Sequence, residues 1–140
     1  MTVFSTAGWS GGAPHAIACA ALMPDSVLAA ASIAGPAPRG AEGLDWLGGM
    51  GEENVEEFGA AIAGPDELRS YLEKVGPEFG SVTSDEIMAA LGDLVEEVDK
   101  PALTGELGGF LAGNIRGGLW NGIWGWFDTT SRSSGIGAST

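Results

Sequence analysis

One cysteine, one histidine, one tyrosine and only six lysines and arginines occur among 140 residues, and each scarcity excludes something. With Cys19 alone, no intrachain disulfide forms and no cysteine-based structural zinc site can be assembled. The 19 acidic residues against six basic ones leave a formal charge of −13, which repels phosphate backbones and anionic membrane surfaces. Nucleic acid and membrane are therefore not expected as partners. The first residues show no basic segment leading into a long apolar stretch, so no signal peptide is read and a cytoplasmic location is the expectation. Long apolar runs are also lacking: Leu103 to Phe127 is broken by Glu106, Arg116, Asn114, Asn121 and several glycines, too polar for a bilayer-spanning helix.

What is present suffices for one packed domain, since 44% of the residues are hydrophobic. The most informative stretch is Gly8-Trp9-Ser10-Gly11-Gly12. An apolar segment, Val3 to Ala7, precedes it and reads as a strand; Gly12 to Met23, rich in alanine, follows and reads as a helix. Strand, sharp turn and helix with a serine at the turn is the pattern of a nucleophile elbow. There the serine is held in a strained conformation, and glycine is expected two residues before and two after because side chains have no room.

A turn at Pro24-Asp25 leads to a second strand, about Val27 to Ala34, which stops at Gly35-Pro36-Ala37-Pro38. Neither strand alternates polar with apolar residues, so both are expected to be covered by helices on both faces. The three elements form a βαβ unit. From Gly40 onward the period is helical. Val55, Phe58 and Ile62 form one stripe, Leu68, Leu72 and Val75 a second opened by Pro65-Asp66, and Ile87, Leu91, Leu94, Val95 and Val98 a third behind the capping-box pair Thr83 and Glu86. A fourth helical region runs from about Pro101 to Ile115. Three tryptophans, Trp120, Trp124 and Trp126, follow closely; docking onto a core is the favoured role, with a pocket lining as the other. From Thr129 to Thr140 small polar residues without period predict a disordered tail.

The elbow, with Pro14 to Asp25 and Ala31-Ser32-Ile33-Ala34-Gly35 after it, resembles the middle of an α/β-hydrolase. Gly43-Leu44-Asp45-Trp46-Leu47, Gly49 to Asn54 and Leu103-Thr104-Gly105-Glu106 resemble the helical lid of bacterial members. The resemblance implies an α/β fold class: a partial α/β-hydrolase fold with one βαβ unit over residues 1–38, a helical cap over 39–128 and the tail over 129–140. It implies a serine hydrolase acting on a small-molecule carboxylic ester or amide. By that likeness Ser10 is the nucleophile and the backbone N–H of Gly11 one of two oxyanion donors. No cofactor and no metal is expected, because no His/Cys ligand cluster exists.

The chain departs from the family where the chemistry needs partners. His15, five residues beyond Ser10, falls on the first turn of a helix leading away from the elbow, and packing suits it better than general-base duty. Asp25 falls at the far end of that helix, about 18 Å away at 1.5 Å per residue, and neither Asp45 nor Asp128 has a stronger claim as the acid. Two strands cannot build the family's eight-stranded sheet. Read one base earlier, the codons of Thr130 to Thr140 permit Asp-Leu-Ala-Phe-Val-Arg-Asp-Trp-Gly-Phe-Asp, similar to the segment that follows the lid in this family. The expectation is an internal piece of a longer hydrolase gene whose frame shifts near Asp128, inactive or nearly so as it stands. The alternative is a non-catalytic helical module that holds an apolar ligand or a partner protein on its tryptophan surface.

Overall fold

The structure, a computed structural model, describes residues 2–91 and 95–135, and among them it is a mixed helix and strand protein. It divides into two compact units, one of residues 1–48 and 129–140, the other of residues 49–128.

In the first unit, strand β1 (Phe4–Trp9) is followed by a short 3-10 turn (Ser10–Gly12), helix α1 (Ala13–Leu22) and strand β2 (Val27–Ile33). The strands pair in parallel, Ala7 opposite Ala31 and Trp9 opposite Ile33, with an irregularity between Phe4 and Ser5 that sets Leu28 outside the register. This is the βαβ unit the sequence predicts. Helix α1 buries Ala13 and Ala16, one turn apart. The Thr6 hydroxyl donates to the Ala16 carbonyl at 3.1 Å, so the even side of β1 faces the helix. Side chains alternate along a strand, which turns Ser5, Ala7 and Trp9, with their partners Ala29, Ala31 and Ile33, to the opposite face. All six are exposed. The expectation that both faces are covered is thus corrected: the apolar pattern is that of a two-sided sheet, yet the first unit covers only the face toward α1 and leaves these residues exposed.

Past β2 the chain closes on itself locally. Trp46, only 8% exposed, donates its indole N–H to the Ala37 carbonyl at 2.6 Å. The end of the last helix belongs to this unit as well. Thr130, Ser131 and Ser134 are buried, the Ser134 hydroxyl donates to the carbonyls of Thr130 and Ser131, and Arg39 donates to the Ser134 carbonyl. Disorder from Thr129 is therefore corrected as far as Gly135. The Ser134 hydroxyl is satisfied by carbonyls of its own helix, whereas the buried Ser131 Oγ has no hydrogen-bond partner among the described residues, and small side chains of this size can be buried without an apolar period. Residues 136–140 of the expected tail lie outside the described residues.

The second unit is helical: α2 (Glu52–Ala63), α3 (Pro65–Phe79), α4 (Ser84–Leu91), α5 (Lys100–Leu103), α6 (Glu106–Gly118) and the first part of α7 (Trp124–Ser133). Leu68 and Leu72 are fully buried, as the second stripe predicts, whereas Val55 and Ile62 are each 38% exposed and Ala61 is the residue α2 buries. Thr83 and Glu86 form the reciprocal cap: the Glu86 carboxylate accepts from the Thr83 N–H and the Glu86 N–H donates to the Thr83 hydroxyl. The Thr83 hydroxyl, which also donates to the Glu86 carboxylate, and after it the Thr83 N–H hold that carboxyl below its ordinary range. Of the third stripe, Ile87 and Leu91 lie half-buried on α4, Leu94 lies outside the described residues, and Val98 is 82% exposed. The fourth region splits at Thr104-Gly105 into α5 and α6. Trp126 docks as expected, its indole N–H 2.7 Å from Glu57 Oε1 and its ring edge-on to Phe79. Trp120 does not, being 86% exposed. No helix among the described residues is long and apolar enough to cross a membrane.

Candidate functional site

The site is built where β1 meets α1. Trp9 is still extended, with φ −112° and ψ 141°, but Ser10 turns to φ +50°. A left-handed serine costs about 1–3 kcal/mol and persists only where its surroundings enforce it. Here the 3-10 turn enforces it, closing when the Ala13 N–H reaches the Ser10 carbonyl, and Pro14 in the first turn of α1 sacrifices no needed donor. The result is an exposed serine at a strand-to-helix corner.

The two flanking glycines are not equivalent. A Cβ on Gly8 would run into the Gly12 carbonyl and Ala13 Cα, so only glycine lets β1 pass that close to the turn. A Cβ on Gly12 would meet nothing within 4 Å, and its backbone is ordinary helix at φ −76°, ψ −20°. The reading that both positions lack room is corrected for Gly12: the crowding comes from its backbone approaching Gly8, not from space around its own Cα.

Gly11, half-buried, follows the serine in the 3-10 turn, where first-turn N–H groups have no partner within a helix. That donor, with the N-terminus of α1 behind it, suits developing negative charge. Thr129 packs beside it, for a Cβ on Gly11 would come 3.2 Å from Thr129 Cγ2. Sequence reasoning gave Thr129 no place in the site, because a polar residue in a tail without period carries no packing signal.

A second feature escaped the sequence. Ala34, the residue after Ile33, has φ +49°. Trp9 and Ile33 are register partners, so Ser10 and Ala34 leave neighbouring strand ends through the same left-handed turn. Gly35 then packs onto the start of α1, where a Cβ would strike that of Ala13. Only the Gly35-Pro36-Ala37-Pro38 breaker signal hinted at this corner.

His15, Asp25 and Asp45 stand on three different segments of the first unit. His15 is exposed on the first turn of α1. Asp25 is exposed beyond the other end of α1, in the turn that leads to β2. Asp45 is exposed in the loop after β2, with its carboxylate folded toward Gly48, and Asp128 belongs to the helical unit. Among the described residues no three His, Cys, Asp or Glu side chains form a metal-binding group. No family model matches the chain, and neither the curated proteins nor the solved structures contain a match.

Proposed function

We propose that Ser10 is the nucleophile of a serine hydrolase of the α/β-hydrolase type, acting on a small-molecule carboxylic ester or amide, with the Gly11 N–H as an oxyanion donor. The observation that carries this reading is the left-handed Ser10 at the end of a parallel strand, locked by the Gly8 and Gly12 backbones and followed by a helix N-terminus. Strain of this kind collects at sites where a side chain must be presented to a ligand. In the reaction the Ser10 hydroxyl oxygen adds to the acyl carbon while a base takes its proton. The carbonyl oxygen, now negative, turns to the Gly11 N–H, and the ester or amide leaving group departs with a proton to give an acyl-serine that water hydrolyses.

This reading takes neither His15 nor Asp25, Asp45 or Asp128 as that base or its orienting acid, so the hydroxyl of the isolated 140 residues is expected to keep an alcohol's ordinary reactivity. A fluorophosphonate probe tests the proposal. Protein made from the gene with the downstream frame restored at Thr130 is expected to label rapidly at Ser10, the Ser10→Ala variant not at all, and the 140-residue chain barely. Equal labelling of the short and restored proteins, or labelling that survives Ser10→Ala, overturns it.

A second reading, a helical module that binds an apolar ligand or a partner protein, is favoured by one observation: Trp120 is 86% and Trp124 58% exposed.

A further inference from the structure

Strand β2 pairs with β1 on one side only, and its other edge carries no strand among the described residues. Natural edges are blunted by lysine, proline, inward charge or a bulge. Here the irregularity at Leu28 blunts the start of the edge. Ala29 to Ile33 then run on regularly without charge or proline, and all but Ala30 are exposed. Charge is unevenly divided over the chain. Of the 19 acidic residues only Asp25, Glu42 and Asp45, and of the six basic ones only Arg39 and Arg132, fall in the first unit, which leaves it at −1 and the helical unit at −12. Like charge repels a second copy at the helical unit, but β1, α1 and β2 hold no Asp, Glu, Lys or Arg at all.

The free run is complementary to itself. An antiparallel copy centred on Ala31 sets Ala31 opposite Ala31, Ala29 opposite Ile33 and Ala30 opposite Ser32. Every opposed pair contains an alanine, so no two bulky side chains collide, and the same patch meets itself about a two-fold axis. Helix α1 fits the same axis. It packs on both strands, so two such units set their helices two strand spacings apart on one face, ~10 Å, the distance at which helices pack. Ala13 and Ala16 face the sheet, and Ile17 and Ala21 lie roughly a quarter-turn further round the helix. The right-handed crossover of a βαβ unit turns that flank to the β2 side, where Ile17 is 50% exposed and Ala21 is exposed too.

We propose that two copies of this chain join β2 to β2, antiparallel about a two-fold at Ala31, in a four-stranded sheet with both α1 helices on one face. Ser10 takes no part in it. Five residues of edge and one helix flank stay below the ~1,200 Å² of standard interfaces, so the dimer is reversible, fills at high protein concentration and adds little stability in dilute solution. Disulfide cross-linking in a Cys19→Ala background reads the register. Ala31→Cys brings its two Cα atoms to about 4.5–5.5 Å across the pair, within disulfide reach, whereas Ala29→Cys leaves its own two about 13 Å apart. With oxidised glutathione, Ala31→Cys is expected to give covalent dimer about tenfold faster than Ala29→Cys. Ala29→Cys mixed with Ile33→Cys should cross-link where neither does alone. All three sites are exposed, and circular dichroism checks that the variants fold. Equal rates for Ala31→Cys and Ala29→Cys, or a mixture no faster than its components, overturn the pairing. Stacking of the two bare faces would set the sheets about 10 Å apart and give slow cross-linking at all three sites. Sedimentation of the parent should show monomer and dimer, and that of Ala31→Lys, which sets two ammonium groups opposite each other, monomer alone. Species that keep growing past the dimer, or a dimer that survives in Ala31→Lys, overturn the proposal.

Discussion

At the scale of single residues, the contrast between Gly8 and Gly12 gives the sharpest test of the corner that holds Ser10. Gly8→Ala forces a methyl group into the Gly12 carbonyl; overpacking of this kind costs about 1–3 kcal/mol. Gly12→Ala finds open space and a helical backbone, and should stay within about 0.5 kcal/mol of the parent. Urea denaturation of the two variants measures both, and equal losses would mean that the approach of β1 to the turn is not what fixes the serine. Tyr71 offers a second residue-level test, undisturbed because it is the only tyrosine. Burial first, then the carboxylates of Glu57, Glu56 and Glu53, push its phenol from 10.0 up to about 12. The folded state therefore holds the phenolic proton more tightly than the unfolded chain does. That contribution is complete below pH 10 and disappears as pH rises through about 12. The tyrosinate absorbance should titrate near the higher value in the folded protein and return to the lower one in denaturant.

At the scale of elements, α3 is the keystone of the helical unit. Leu68 and Leu72 are its fully buried side chains, and truncating either to alanine should cost about 2–5 kcal/mol in thermal or urea unfolding. The same helix shows why some of the chain was legible. Its stripe repeats every turn and Pro65 marks its start, so periodicity and capping agree. Strands β1 and β2 were legible for a related reason, being short apolar runs bounded by glycine, proline and aspartate. Register could not be read from a sequence without alternation, and neither could the Ala34 turn, because alanine carries no left-handed signal. In the last helix the failure has a different cause. Thr130, Ser131 and Ser134 are buried, with the Ser134 hydroxyl bonded to the carbonyls of the other two, which hydrophobic patterning does not register. For the candidate site, Ser10 and Gly11 were visible as a motif. Thr129 reaches Gly11 from the far end of the chain, a closeness only the fold creates.

At the scale of the molecule, the bare face of the sheet stands out. Parallel strands usually have both faces covered, and here Ser5, Ala7, Trp9, Ala29, Ala31 and Ile33 meet solvent together. A two-stranded sheet with open edges and one open apolar face is an invitation to pair with other chains. Ala31→Lys places a charge in the middle of that face without displacing any packed side chain. It should leave the melting temperature unchanged and lower light scattering at high protein concentration; a fall in melting temperature would show the face to be covered after all. The left-handed Ser10 has a further consequence, for directed evolution. Glycine adopts φ +50° freely, so Ser10→Gly should raise stability by about 1 kcal/mol. A library of this chain selected only for heat resistance would be drawn to erase its hydroxyl.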